Sequence, residues 1–218
     1  SPGRVPDAGG PRGMHPFVDH GTVSKLQRLP EDYLFDLVRG SIAVLHASLS
    51  VDAGRSGGGA DLQGYRDSLW NAPPDRADFE RTVGVVTSQR ITDVGQATGR
   101  MSTLAALCLS ALSALPRPLA NRDFVAVITS PQIDALEGAQ KAGAIGGIIQ
   151  SSLDEHGDYL ELFVQFMWLL WNVTLVSNAY SEGRLAGMMA PLIMREASPT
   201  DQALNALQVL IARYDKIF

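Results

Sequence analysis

The chain has 218 residues, of which 45% are hydrophobic, and carries a formal net charge of −5 at pH 7. That length and apolar content suffice for one domain of about 200 residues with its own core. The acidic balance excludes the basic footprint of a protein that binds nucleic acid or an anionic membrane surface. Cys108 is the single cysteine, which excludes a disulfide framework and a cysteine-rich metal site and is compatible with a cytoplasmic setting.

The first part of the chain, residues 1–13, is rich in proline and glycine and lacks an apolar run. This composition is typical of a disordered segment rather than of a signal peptide. We therefore expect residues 1–20 to form a disordered lead and residues 21–218 to form the domain.

Helical signals begin at Pro30, which suits the first position of a helix and is followed by two acidic residues. Residues 61–70 predict a short second helix before two prolines end it. Two stretches stay open: the glycine-rich loop 54–59, whose role the pattern does not indicate, and the β-branched segment 83–98, which fits either helix or strand.

The second half predicts one helix after another. We expect helices over 102–115, ended by Pro116 and Pro118, and over 131–153, 159–178, 184–194 and 200–217. The helix 159–178 is apolar on nearly all sides, but its purely apolar stretch is far shorter than the roughly 20 residues that a bilayer requires. We predict an all-α bundle of eight or nine helices. We expect the helix 102–115 to flank its core, which consists of these residues: Leu162, Phe163, Phe166, Met167, Leu169, Leu170 and Val173.

Signs of catalysis or of a bound cofactor are few. The four histidines are isolated from one another and from Cys108, so no metal-ligand spacing is present. The loop 56–59 lacks the Gly-Lys-Ser/Thr of a phosphate-binding loop. We expect no metal, no cofactor and no enzymatic activity of the chain's own.

Three ordered blocks carry a resemblance to a known family: Leu-Pro-Arg-Pro-Leu at 115–119, Leu-Ala followed by Ala-Pro-Leu between 185 and 192, and the terminal segment Leu-Ile-Ala-Arg-Tyr-Asp-Lys-Ile-Phe at 210–218. In this order and spacing they resemble the GTPase-activating (RhoGAP) domain that acts on Rho-family small GTPases. The resemblance covers about residues 30–218. It implies a RhoGAP-like helical bundle, a partner of the Rho, Rac or Cdc42 type, and a place within a larger multidomain protein.

The family inserts an arginine into its partner's active site, from a glycine-containing loop after the first long helix. The resemblance places that arginine at Arg55 and the family's other GTPase contacts at these positions: Leu109, Ser113, Asn178, Arg184 and Pro191. At Leu109 and Ser113 the family has Lys and Arg, and at Arg184 it has Asn. Leucine and serine cannot make the charge-assisted hydrogen bonds of the residues that they replace.

Three functions remain open on this basis. The domain is a degenerate activator that binds a GTPase, or another protein, with weak or lost activity; or it is an active GTPase activator that uses Arg55. The third alternative is an all-α interaction module unrelated to GTPases. The losses at Leu109, Ser113 and Arg184 favour the degenerate activator.

Overall fold

The computed structural model describes residues 18–49, 64, 66–91 and 93–218, apart from the side chains of residues 153–156. Every regular element in these ranges is helical, which confirms the all-α prediction. A 3₁₀ turn lies at Val94–Gln96, and the helices are α1 His20–Leu26, α2 Glu31–Leu49, α3 Arg76–Gln89, α4 Met101–Ala114, α5 Arg122–Ile128, α6 Pro131–Asp134, α7 Gly138–Val176, α8 Glu182–Met194, α9 Asp201–Ala212 and α10 Tyr214–Ile217. Arg55 and the loop 54–59 lie outside the described residues, as does most of the predicted lead.

The second half of α7 forms the centre of the core, as predicted. All seven residues expected there are at most 1% exposed. Residues 157–176 are long and apolar enough for a membrane span by length and composition, but half of this stretch is buried by the rest of the protein. Buried core helices pass the same test, so this one helix is weak evidence for a span.

Helix α2 packs extensively against both α7 and α4. Helix α4 contributes to the same core as α7 and makes its main helix contacts with α1, α2, α3 and α8. Helix α9 packs against α7 and α8 on the other side. Helix α2 can serve two neighbours because its buried side chains include Phe35, Leu37 and Val38 and so cover more than one face.

Helix starts follow local capping chemistry. Asp19, Asp75 and Asn121 each accept a hydrogen bond from a backbone N–H in the first turn of α1, α3 and α5. The predicted lead is too long, because Val18 is buried and Asp19 caps α1. The ambiguous segment 83–98 is resolved into the end of α3, the 3₁₀ turn and the chain that follows it.

Helix α7 consists of two helical segments that meet at a kink, where the sequence predicted two helices joined by a connection at residues 154–158. The kink lies at Gly157, whose φ of 51° and ψ of −133° are not helical. Such a backbone conformation is readily open only to glycine, which has no Cβ. Upstream, Pro131–Asp134 is a separate short helix, so the helix predicted from 131 starts at Gly138 instead.

The predicted terminal helix 200–217 is also divided. Thr200 caps α9, and Arg213 separates α9 from α10. Helix α10 lies so close to α7 that a Cβ added to Gly146 would be 2.5 Å from the Cγ2 of Ile217. Glycine at this position therefore permits the terminal helix to pack.

A buried carboxylate ties α3 to the start of α4. Asp78 accepts hydrogen bonds from the hydroxyls of Thr98 at 2.9 Å and Thr103 at 2.6 Å, and also pairs with Arg81. The hydrogen bond from Thr103 is the largest cause that lowers the pKa of Asp78, and it outweighs the opposing effect of burial. The charged form of Asp78 is therefore the one that stabilises the fold.

We expect Phe166→Ala to lower the free energy of unfolding by about 3–5 kcal/mol, because the side chain is 0% exposed and its removal leaves a cavity. Leu175→Ala is the matched control on the same helix, since Leu175 is 62% exposed. Its effect should stay within about 0.5 kcal/mol. Equal losses for the two variants in urea unfolding would contradict the central position of Phe166.

We expect Asp78→Asn to destabilise the protein by about 1–3 kcal/mol at pH 7. The pKa of Asp78 is lower in the folded than in the unfolded state, so its contribution is present above the unfolded pKa and is lost as the pH falls through the folded value. The difference from wild type should shrink below about pH 4. Urea unfolding at a series of pH values measures it, with Asp123→Asn, an exposed first-turn residue of α5, as control. A pH-independent difference would exclude the charge as its cause.

Candidate functional site

Two of the predicted contact residues, Asn178 and Arg184, lie together at the end of the bundle where α7 stops and α8 starts. The Arg184 guanidinium donates to the carbonyl of Ala179 at 2.9 Å and to the Oδ1 of Asn71 at 2.8 Å. It also lies over the ring of Tyr180, 5.6 Å from the ring centroid. We call this group, Asn71, Asn178, Tyr180 and Arg184, the Arg184 surface.

Asp67 supports this surface from behind. Its Oδ1 accepts a hydrogen bond from the hydroxyl of Ser177 at 2.7 Å and from the backbone N–H of Asn178 at 2.9 Å. These two bonds bind the first residues after α7 to residues 66–71, which are a short helical segment and the turn that follows it. The exposed Asn178 is therefore held at its backbone.

An aromatic pair anchors the same turn in the core. The hydroxyl of Tyr180 accepts the backbone N–H of Trp70 at 2.7 Å, and the two rings meet edge to face with centroids 5.8 Å apart. Burial is the main cause that raises the pKa of Tyr180. Trp70 is 2% exposed, so the Arg184 surface packs against a buried aromatic side chain of the core.

The chain on both sides of residues 50–63 also reaches this end of the bundle. Helix α2 ends at Leu49, whose carbonyl accepts a hydrogen bond from the Nη2 of Arg66 at 2.7 Å. Arg66 immediately precedes Asp67 and the supporting turn. The segment that contains Arg55 therefore leaves and rejoins the described structure beside the Arg184 surface.

The predicted contacts on α4 do not join this surface. Leu109 is 0% exposed, so its side chain is a core residue and cannot be a surface contact in this structure. Ser113 donates its hydroxyl to the carbonyl of Leu109 at 2.9 Å, within its own helix. Pro191 is half-buried inside α8, about 10 Å along the helix axis from Arg184.

Arg195 contacts Ser113 and therefore locates Ser113 relative to Arg184. It follows the last residue of α8, and its guanidinium donates to the carbonyl of Ser113 at 3.3 Å. Arg184 lies in the first turn of the same helix, about 16 Å from Arg195 along the helix axis. Ser113, where the resemblance places one of the family's GTPase contacts, therefore lies at the opposite end of α8 from the Arg184 surface.

Arg195 also closes the proline turn after α4. In addition to Ser113 it donates to the carbonyls of Leu115 and of Pro116, the latter at 3.0 Å. Burial lowers the pKa of Arg195, but an arginine stays charged throughout the accessible pH range. Pro116 and Pro118 thus end α4 and shape the turn, as the sequence predicted.

The Arg184 surface exposes polar groups that can bind a partner. The described residues contain no group of three His, Cys, Asp or Glu side chains that could hold a metal ion. The surface presents a guanidinium and two amides, which are donors and acceptors for a polar partner, whereas the ring of Tyr180 beneath them is buried. The sequence singled out Asn178 and Arg184, whereas the supporting roles of Asp67 and Asn71 carried no local signal.

No protein-family model matches this chain, and no curated protein matches its sequence.

We expect Arg195→Gly to destabilise the protein by about 1–3 kcal/mol relative to Arg90→Gly. Both arginines have left-handed backbone conformations, with φ of 53° and 48°, so glycine relieves the same strain at each site. Only Arg195 loses hydrogen bonds to three carbonyls. Thermal unfolding of the two variants measures the difference. If both variants are equally stable, the guanidinium does not hold the proline turn.

Proposed function

We propose that this chain is a divergent RhoGAP-like domain that binds a Rho-family small GTPase in the cytoplasm and stimulates GTP hydrolysis weakly or not at all. It would do so as one part of a larger signalling protein. The ordered sequence blocks support the family resemblance. The observation that carries the binding function is the position of Asn178 and Arg184 beside both ends of the segment that contains Arg55.

The chemistry of the surface supports binding more than catalysis. An arginine inserted by the partner speeds GTP hydrolysis by about 10³–10⁵, which corresponds to roughly 4–7 kcal/mol of transition-state stabilisation. Such a gain requires the arginine loop to be ordered before the reaction. Here Leu109 is buried and Ser113 lies at the opposite end of α8 from Arg184, so neither offers a charged contact beside the Arg184 surface.

The substitution at Arg184 also changes what the partner meets. An asparagine would offer one short planar amide, whereas this arginine uses its guanidinium to hold Ala179 and Asn71. Its remaining donors and its charge point to an acidic or carbonyl-rich patch on the partner.

A second candidate function is an all-α protein-interaction module unrelated to GTPases. The separation of Ser113 from Arg184 favours it, because the resemblance implies that both positions contact one partner. The same Arg184 surface would then bind a different protein.

Binding and hydrolysis measured separately test the proposal. Rho-, Rac- and Cdc42-type GTPases loaded with a non-hydrolysable GTP analogue are titrated with the chain, and GTP hydrolysis is followed in single turnovers. We expect binding to at least one GTPase and a rate increase far below 10³-fold. Arg184→Glu should weaken binding at least tenfold, since it reverses the charge at the surface.

Arg122→Glu is the matched control, because Arg122 is an exposed arginine at the start of α5 and lies away from the Arg184 surface. It should leave binding unchanged. Arg55→Ala should change the hydrolysis rate little. A large stimulation that Arg55→Ala abolishes would replace this proposal with the active-activator alternative, and absence of binding to every GTPase would favour the unrelated module.

A further inference from the structure

A second concave site lies at the other end of the bundle. A cavity of about 550 Å³ opens between the proline turn after α4, the start of α2, the start of α5 and the bend of α7 at Gly157. Its floor is apolar and is built from Phe35, Leu119, Phe124 and Leu160, all of them buried. This volume and lining are those of a pocket for a small molecule or for one or two peptide side chains.

The mouth of the cavity carries an excess of acid. Glu31, Asp32 and Asp158 line it together with a single cation, Arg117. Asp158 is paired with Arg39 outside the cavity, at 3.4 Å. Among the described residues Glu31 and Asp32 form no ion pair, so two carboxylates at the mouth lack a cationic partner. The start of α2 offsets about half a unit of that charge.

The backbone N–H donors of Tyr33, Arg117 and Phe124 around the mouth are already occupied. The backbone N–H of Phe124 is bound by Asn121, and that of Tyr33 is bound by Asp32. The backbone N–H of Arg117 donates to the hydroxyl of Tyr159, and its guanidinium lies over the Tyr159 ring at 4.4 Å. Apart from the guanidinium of Arg117, an anion would find few unused donors there, and it would meet the carboxylates.

One carboxylate is held in place for a ligand. The hydroxyl of Tyr159 donates to the Oε1 of Glu31 at 2.6 Å, and burial is the main cause that raises the pKa of Tyr159, so this hydroxyl keeps its proton. The second oxygen of Glu31 and the second oxygen of Asp32 have acceptor positions to spare. Acceptors above an apolar floor fit a donor cation that carries an apolar group.

We propose that this cavity binds an organic cation with an apolar body, an ammonium or guanidinium whose charge meets Glu31 and Asp32 while its apolar part covers Phe35, Leu119, Phe124 and Leu160. The cavity lies at the start of α2, and Leu49 beside the Arg184 surface lies at its end, about 27 Å away along the helix axis. The site is therefore separate from the proposed GTPase contact.

Three probes with the same ring test the charge requirement: phenethylamine, 2-phenylethanol and 3-phenylpropionate. Each is titrated into the isotope-labelled chain at low salt, with backbone amide NMR shifts as the readout. We expect the amine to bind most tightly, the alcohol less tightly and the acid least. The largest shifts should fall at Leu119, Phe124 and Leu160. The affinity for the amine should fall as salt is added.

Glu31→Gln keeps an acceptor for Tyr159 but removes the charge, and it should weaken binding of the amine about threefold to tenfold. Glu182→Gln is the matched control, because Glu182 is also a first-turn acid but belongs to α8. It should leave the affinity unchanged. Circular dichroism of both variants verifies that each is folded.

A capped dipeptide, N-acetyl-Phe-Arg-amide, distinguishes the source of the cation. Tighter binding than phenethylamine indicates a basic peptide of a partner, and weaker binding indicates a free amine; both outcomes require the loss on Glu31→Gln. The proposal is overturned if no probe saturates, if the acid binds as well as the amine, or if Glu182→Gln weakens binding as much as Glu31→Gln. None of these outcomes depends on GTPase binding.

Discussion

Burial of the second half of α7 is the constraint on which the rest of the structure depends. Its side chains are apolar around almost the whole circumference, and each large one gains about 1.5–3 kcal/mol when it leaves water. One neighbouring helix can cover only one side. Helices α2 and α9 therefore have to lie along it, and α2, with buried residues on more than one face, in turn carries α4.

Arginines complete the ends of this bundle where backbone carbonyls would otherwise lack partners. Arg184 binds the carbonyl of Ala179 after α7, and Arg195 binds those of Ser113, Leu115 and Pro116 after α4. The last carbonyls of a helix have no partner within it. Both guanidiniums therefore hold backbone or side-chain groups of the fold. This explains how an arginine can stand where the resemblance has an asparagine without being a free, extended cation.

The two ends of the bundle consequently differ in chemistry. The Arg184 surface is polar and cationic and is supported by Asp67 and Trp70. The cavity at the opposite end is apolar with an acidic mouth. The fold therefore separates the two proposed binding sites, which differ in charge and polarity, along the length of α2 and α7.

The sequence by itself determined the helical class, the buried centre of α7 and the end of α4 at Pro116, because apolar periodicity and proline act within a few residues. It also contained the caps Asp19 and Asp75, local signals that would have located α1 and α3. Tertiary structure alone decided that α2 lies beside α7, that Asp67 holds Asn178, and that Ser113 is far from Arg184. These arrangements join residues distant in sequence, and their energies depend on how all the helices pack together, which no local pattern encodes.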